Sequence, residues 1–100
     1  MFFLWDERNK THIAEHGIEP EDAEYVVRRG KRPYPKQLSA IKWIVKGRTR
    51  TGRLIQVIYL IREDDEIDIE PLSFPERLAL ELNEKAVYVI HARPLRAGEE

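Results

Sequence analysis

One short segment limits the folds open to this chain more than any other. From Leu54 to Ile61 the sequence is apolar except for Gln56. An uninterrupted apolar run of this length is typical of a strand that is buried on both faces. The segment is therefore predicted to be a central strand, and the rest of the chain must supply its neighbours.

Two further segments carry strand signals. Residues 41–46 alternate Ile41, Trp43 and Val45 with Lys42, Ile44 and Lys46, which indicates a half-buried strand. Two glycines in the connection, residues 47–53, predict a hairpin between this strand and the central one. A last apolar run begins at Ala86, continues to Arg93 and is stopped by Pro94, so it reads as a third strand.

Helix signals stand before the sheet. Asp6 is a good N-cap, and a helix is predicted over about residues 7–16, closed by Gly17. Pro20, an acidic first turn and a basic last turn predict a second helix over about residues 20–29. The short apolar start of the chain is compatible with an edge strand.

Residues 63–85 form a long acidic excursion before the last strand. Ser73 and Glu76 make a capping box, and an apolar stripe follows at helical spacing, so we expect a third helix there. The stripe consists of Phe74, Leu78 and Leu82. Leu95 to Glu100 is predicted to be a loose tail.

The predicted fold class is therefore α+β. Two N-terminal helices pack on a three- to four-stranded antiparallel sheet, with a helical insertion before the last strand. The length of 100 residues indicates a single domain, residues 1–100.

Charge is segregated along the chain although its net value is only −1. Eleven basic residues and no acidic one lie between Tyr25 and Arg62, whereas nine acidic residues lie between Glu63 and Lys85. A basic face can hold phosphate groups electrostatically. The alternative is a solvated surface that the acidic segment of the same chain balances.

Several kinds of site are disfavoured. The chain has no cysteine, and His12 and His16 lack the intervening glutamate of the zincin motif, so neither a metal nor a cofactor is predicted. No glycine-rich phosphate loop or catalytic triad spacing is present. The apolar start, residues 1–5, is too short for a signal or a membrane span, and a cytoplasmic protein is expected.

Any catalytic site in this chain must therefore be built mainly from histidine and arginine. His91 and Arg93 lie two residues apart at the end of the last strand, and together they are parts of a metal-independent site for phosphodiester cleavage. The alternative is that His91 is a structural histidine and that Arg93 pairs with a carboxylate. A structural role at the helix end is favoured for His16, and His12, one turn earlier on the same face, is equally ambiguous.

The hairpin connection holds three more arginines. Arg48 and Arg53 stand next to glycines at the strand ends, where their guanidinium groups could meet one phosphate. Arg50 lies in the turn itself, where a solvated side chain is favoured. With Lys42 and Lys46 on the preceding strand, Arg50 is a candidate for binding a nucleic-acid backbone.

The order and spacing of these motifs resemble the BrnT family of bacterial toxins. The shared elements are Trp5-Asp6, Ile13, His16-Gly17-Ile18, an acidic second helix, Gly47-Arg48, Gly52-Arg53-Leu54 and Val89-Ile90-His91-Ala92-Arg93. The resemblance covers the chain from Phe3 to Arg96, apart from the insertion.

The resemblance implies a RelE-like fold and a ribonuclease toxin of a type II toxin–antitoxin system, which blocks translation by cutting RNA. Its partner would be a ribbon-helix-helix antitoxin. Arg48, Arg53 and Arg93 would hold the scissile phosphate. That His91 protonates the leaving 5′-oxygen is an inference from its chemistry.

The chain departs from the family in its net charge, in the acidic segment 63–85 and in the Pro94-Leu95 pair. We hypothesise that the acidic segment folds over the basic face. One alternative function is a non-catalytic toxin-like module that binds a protein partner, and another is nonspecific nucleic-acid binding. The sequence leaves open the RNA target, the antitoxin, and whether the protein is a homodimer or a toxin–antitoxin hetero-oligomer.

Overall fold

The computed structural model describes residues 1–63, 72–83 and 85–99. Within them the elements follow in the order β1 (Phe2–Phe3), α1 (Glu7–Ala14), α2 (Pro20–Arg28), β2 (Lys36–Gln37), β3 (Lys42–Arg48), β4 (Leu54–Glu63), α3 (Phe74–Asn83) and β5 (Lys85–Pro94). The hypothesis that the acidic segment covers the basic face falls largely on residues 64–71, which lie outside the described residues.

The sheet has five strands in the order β1-β5-β4-β3-β2. The central position of β4 and its hairpin with β3 confirm the prediction from the apolar run. The α+β class is also confirmed, but the sheet is larger than predicted and mixed. Strand β1 pairs in parallel with β5 through Phe2 and Phe3, and β2 adds a two-residue edge after a proline-rich stretch. The edge strand expected at the apolar start is confirmed as β1, whereas β2 is too short to show a strand period in the sequence.

The two N-terminal helices begin where their caps predict. Asp6 accepts a hydrogen bond from the backbone of Asn9 at 2.9 Å, and the Asn9 side chain accepts one from the Asp6 backbone at 2.8 Å. Helix α1 ends at Ala14, two residues earlier than expected, because His16 bonds to the carbonyl of Ile13 in a tighter turn. Gly17 then adopts a φ of 71°.

The main core lies between α1, α2 and one face of the sheet. Helix α1 packs on β5, and α2 packs on β3 and β4. The fully buried side chains include Ile13 and Ile18 from the helical layer and Val45, Val57 and Val89 from the sheet. Apolar burial on this one face fixes which strand residues point away from the helices.

Helix α3 confirms the predicted third helix and its capping box. The backbone of Ser73 donates to Glu76 Oε1 at 3.0 Å, and the Glu76 backbone donates to Ser73 Oγ at 3.4 Å. Its apolar stripe nevertheless remains in solvent, with Phe74, Leu78 and Leu82 exposed by 78%, 46% and 77%. Helical periodicity thus predicted the helix correctly but does not specify what covers its apolar face.

The predicted loose tail is wrong for residues 95–99. Leu95 donates to the carbonyl of Leu54 at 3.0 Å, which continues the β4–β5 pairing past Pro94. The backbone of Arg96 then donates to Glu99 Oε1 at 2.8 Å. Hydrogen bonds therefore hold this segment on the sheet although it has no apolar pattern.

None of the helices in the described ranges is long and apolar enough to cross a bilayer.

Candidate functional site

The three histidines of the chain come together in the structure. Their ring centroids are 5.7 Å apart for His12 and His91, 5.5 Å for His16 and His91, and 6.3 Å for His12 and His16. His91 Nδ1 lies 3.5 Å from His12 Nε2. We call these three residues the histidine cluster.

Two features of the fold create the histidine cluster. Strand β1 pairs only with Ala86 and Val87, and α1, which follows β1 in the chain, packs on β5. A β-bulge then breaks the ladder, since Ile58 pairs with His91 while Tyr59 pairs with Val89. A bulge redirects the side chains around it. It is at this bulge that the ring of His91 meets α1.

The sequence placed His12 and His16 on one helix face, but it gave no sign that His91 joins them. The contact links residues 79 positions apart and depends on the bulge, which no local pattern specifies. The sequence patterns that pointed to the histidine cluster were weak. They were a polar pair at the end of an apolar strand and two histidines at helical spacing.

Burial lowers the pKa of His91, and the positive charges of His16, His12 and Arg93 lower it further. His91 is therefore mainly neutral near pH 7, with a ring nitrogen able to accept a proton. On the other side of the cluster, the carboxylate of Glu15 lies 4.0 Å from Nδ1 of His12. The cluster thus combines a neutral imidazole with two that are more exposed to solvent.

Arg53 lies beside the histidine cluster. One of its guanidinium nitrogens donates to the carbonyl of Gly17 at 2.8 Å, and Gly17 directly follows His16. The Arg53 backbone is fixed in the hairpin, because its N–H donates to Thr49 Oγ1 at 3.1 Å. This predicted phosphate ligand is therefore held against the backbone next to His16, with one donor engaged.

Arg48 and Arg50 belong to the hairpin between β3 and β4. Arg48 donates to the carbonyl of Gly52 at 3.0 Å within the hairpin turn, and the side chain of Arg50 is exposed in the same turn. The turn begins about 13 Å along β4 from Ile58, the partner of His91. The role of Arg48 at the scissile phosphate and that of Arg50 in binding a nucleic-acid backbone stay predictions.

Arg93 and Lys46 belong to a different face of the sheet. Lys46 pairs with Gln56, and Gln56 pairs with Arg93, so the three form one row across β3, β4 and β5. The neighbouring row, Val45, Val57 and Ala92, is fully buried under the helices, and the side chains of the Lys46 row point the opposite way. Lys42 lies four residues from Lys46 and shares its face.

Glu99 binds both cations of this row. Its Oε2 lies 2.9 Å from a guanidinium nitrogen of Arg93, and its backbone carbonyl accepts from Lys46 Nζ at 2.7 Å. Arg93 therefore pairs with a carboxylate, as in the structural alternative. It still lies close enough to His91 for its charge to lower the pKa of that residue.

Sequence reasoning missed an open groove of about 1220 Å³ next to the histidine cluster. His12 and Glu15 form one end of its lining, and Trp5, Arg62 and Tyr88 line other parts. The hydroxyl of Tyr88 donates to Asp6 at 3.0 Å, and its pKa is raised by burial and by that carboxylate. The groove leads from the histidines along the first turns of α1.

Among the residues that the structure describes, no group of three or more histidine, aspartate or glutamate side chains has the arrangement needed to hold a metal ion.

Comparison of the chain with models of protein families, with curated proteins and with solved structures found no match. The resemblance to BrnT toxins therefore stays a prediction from the sequence motifs.

Proposed function

We propose that this protein is a metal-independent endoribonuclease that acts as a toxin of the RelE-like, BrnT type and inhibits translation in the cytoplasm. The observation that carries the proposal is the convergence of His12, His16 and His91 beside a groove whose lining includes His12. Two imidazoles in contact can serve as base and acid in RNA cleavage, a reaction that needs no oxidant, reductant or cofactor.

The lowered pKa of His91 changes the role first assigned to it. A histidine that is neutral near pH 7 is better suited to remove the proton of the 2′-hydroxyl than to protonate the leaving group. The 2′-oxygen then attacks phosphorus as the bond to the 5′-oxygen breaks. His12 in its protonated form, 3.5 Å from His91, gives the leaving 5′-oxygen its proton.

The products of this step are a 2′,3′-cyclic phosphate and a free 5′-hydroxyl. His91 ends protonated and His12 neutral, and transfer of a proton from the first to the second restores the site. Arg53 and Arg93 are the nearest predicted phosphate ligands, and their positive charge would stabilise the negative charge that develops on the phosphoryl oxygens.

A second function is favoured by a specific observation. The guanidinium groups of Arg48, Arg53 and Arg93 all bond within the protein, and the apolar stripe of α3 is exposed. These features suit a non-catalytic module that binds a protein partner. The ribbon-helix-helix antitoxin is the proposed partner for either function.

Growth and translation after induction of the chain in a bacterium distinguish the two. The ribonuclease proposal expects arrest by the parent chain and relief by His91→Ala or His12→Ala at equal expression. Ala14→Ser, an exposed change on the same helix outside the groove lining, is the matched control and should arrest growth as the parent does. Arrest that both histidine variants retain would contradict the proposed mechanism, and normal growth with folded parent protein would favour the partner-binding module.

A further inference from the structure

We propose that Arg93, Lys46 and the backbone N–H of Arg96 form a binding site for a phosphate group of the RNA backbone, and that Glu99 occupies this site as an internal competitor. We call these three groups the anion seat. The identity of the ligand rests on the proposed function, whereas the existence of the seat does not.

The anion seat collects donors from three parts of the chain. The Glu99 carboxylate is bound through Oε2 by Arg93 at 2.9 Å and through Oε1 by the Arg96 N–H at 2.8 Å. Lys46 Nζ donates to the backbone carbonyl of the same residue at 2.7 Å. A guanidinium, an ammonium and a backbone N–H are the donors that proteins use for phosphate.

Glu99 meets two of these donors, the Arg93 guanidinium and the Arg96 N–H, as a carboxylate. Hydrogen bonds from the Arg93 side chain and the Arg96 backbone lower the pKa of Glu99, so the negative charge is present at neutral pH. A phosphodiester carries the same single charge, and its two unbridged oxygens can take the places of Oε1 and Oε2. Release of Glu99 would also free Lys46, which now bonds to the Glu99 backbone.

The seat is open to a competing ligand. The side chains of Arg93 and Glu99 are 36% and 32% exposed, so a phosphate can approach from solvent. An ion pair that is this exposed contributes little to holding Glu99 in place, because water screens its attraction. The strong local field comes instead from the cation row itself, because Lys46 and Arg93 flank the uncharged Gln56 on neighbouring strands.

The position of the anion seat suits a nuclease. Arg93 follows His91 by two residues on β5, about 7 Å along the strand, and its charge acts on the pKa of that histidine. An RNA strand whose phosphate is held by Arg93 on the outer face would therefore reach the histidine cluster round the edge of β5, which β1 leaves uncovered beyond Val87. Glu99 would leave the seat when RNA binds, while the hydrogen bond from Leu95 to the carbonyl of Leu54 keeps the neighbouring Arg96 N–H in place.

Binding of an uncleavable RNA tests the proposal directly. A fluorescent single strand in which every 2′-hydroxyl is methylated lacks the attacking group, so its anisotropy reports binding alone. Glu99→Gln keeps the size of the side chain and removes its charge, and we expect it to tighten binding about tenfold at low salt. Glu21→Gln, at an exposed position on α2, makes the same charge change away from the seat and should alter binding less than about twofold.

A double variant identifies the donors. Arg93→Ala combined with Glu99→Gln should lose the gain in RNA affinity that Glu99→Gln gives alone. The salt dependence of RNA binding should also fall by about one phosphate contact. An equal gain in Glu99→Gln and Glu21→Gln would overturn the seat, because the effect would then come from net charge. A gain that persists without Arg93 would overturn it as well.

Two further measurements are needed. One distinguishes RNA from free phosphate as the ligand, and the other distinguishes the anion seat from the ribonuclease proposal. Inorganic phosphate titrated into Glu99→Gln by calorimetry should bind much more weakly than the oligonucleotide, and equal affinities would overturn RNA as the ligand. Tighter RNA binding without cleavage of ordinary RNA would leave the seat standing and refute the ribonuclease. Cleavage of ordinary RNA by the parent, with no tighter RNA binding in Glu99→Gln, would leave the ribonuclease standing and refute the seat.

Discussion

His91 Nδ1 and His12 Nε2 lie 3.5 Å apart, although 79 positions separate the two residues in the chain. The pairing depends on a bulge in β5 and on the packing of α1 against that strand. It converts two ambiguous histidines into a possible base and acid.

The stability of the protein should fall as the pH drops through the titration range of His91. Its pKa is below the ordinary value of 6.5 in the folded state, so the unfolded chain binds the additional proton first. Stability is therefore complete above about pH 6.5 and decreases until the folded-state pKa is passed.

Urea unfolding at several pH values measures this effect. His91→Gln should show a smaller loss between about pH 7 and 5 than the parent does. The carboxylate of Glu15, 4.0 Å from His12, and the charge of Arg93 also act on this cluster. Glu15→Gln is therefore added to the parent and to His91→Gln, and the pH dependence of unfolding is compared between the two. Identical pH dependence with and without His91 would show that another group controls it.

Replacement of Ile13 by alanine should destabilise the protein by about 2–5 kcal/mol, because this side chain is fully buried between α1 and the sheet. Ile13→Val should cost about 0.5–1.5 kcal/mol. Chemical denaturation of the two variants gives both values. A cost below about 1 kcal/mol for alanine would mean that α1 does not pack on β5 as described.

Asp6 is predicted to stabilise the groove through two contacts of its side chain. It caps α1 through the Asn9 backbone at 2.9 Å and accepts the Tyr88 hydroxyl at 3.0 Å. Asp6→Ala should lose about 1–2 kcal/mol of stability, whereas Asp6→Asn should keep most of it, since asparagine is an equally good N-cap. Equal losses in both variants would argue that the carboxylate charge, and not the cap, is what matters.

The exposed stripe of α3 should contribute little to the folded protein. Leu82→Ser is expected to change the unfolding free energy by less than about 0.5 kcal/mol, because Leu82 is 77% exposed. Val89→Ser, in the buried layer, is the comparison and should be severely destabilising. A large loss in Leu82→Ser would mean that this face is covered.

Local patterns predicted the fold well where apolar residues are concentrated. The run from Leu54 to Ile61 correctly indicated the central strand, and Ser73 and Glu76 correctly indicated the start of a helix. The parallel pairing of Phe2 and Phe3 with β5 could not be predicted, because a two-residue strand has no period and its partner lies more than eighty residues away.

The candidate site was less predictable than the fold. The sequence identified His91 and Arg93 by their place at a strand end, but the bulge turns His91 toward α1 while Arg93 joins Lys46 in a row on the outer face. The contact of Glu99 with both cations had no sequence signal, since it depends on a polar segment without periodicity. Long-range contacts between polar residues leave no local pattern.

The most direct test of the account is RNA cleavage by the purified parent protein in the presence of EDTA, with analysis of the product ends. The account predicts products with 2′,3′-cyclic phosphate and 5′-hydroxyl ends, and a rate reduced about 10²–10⁴-fold in His91→Ala. Ala14→Ser should cleave as the parent does. Intact RNA with folded parent protein, or a cleavage rate that is the same in His91→Ala, would contradict the proposed catalysis.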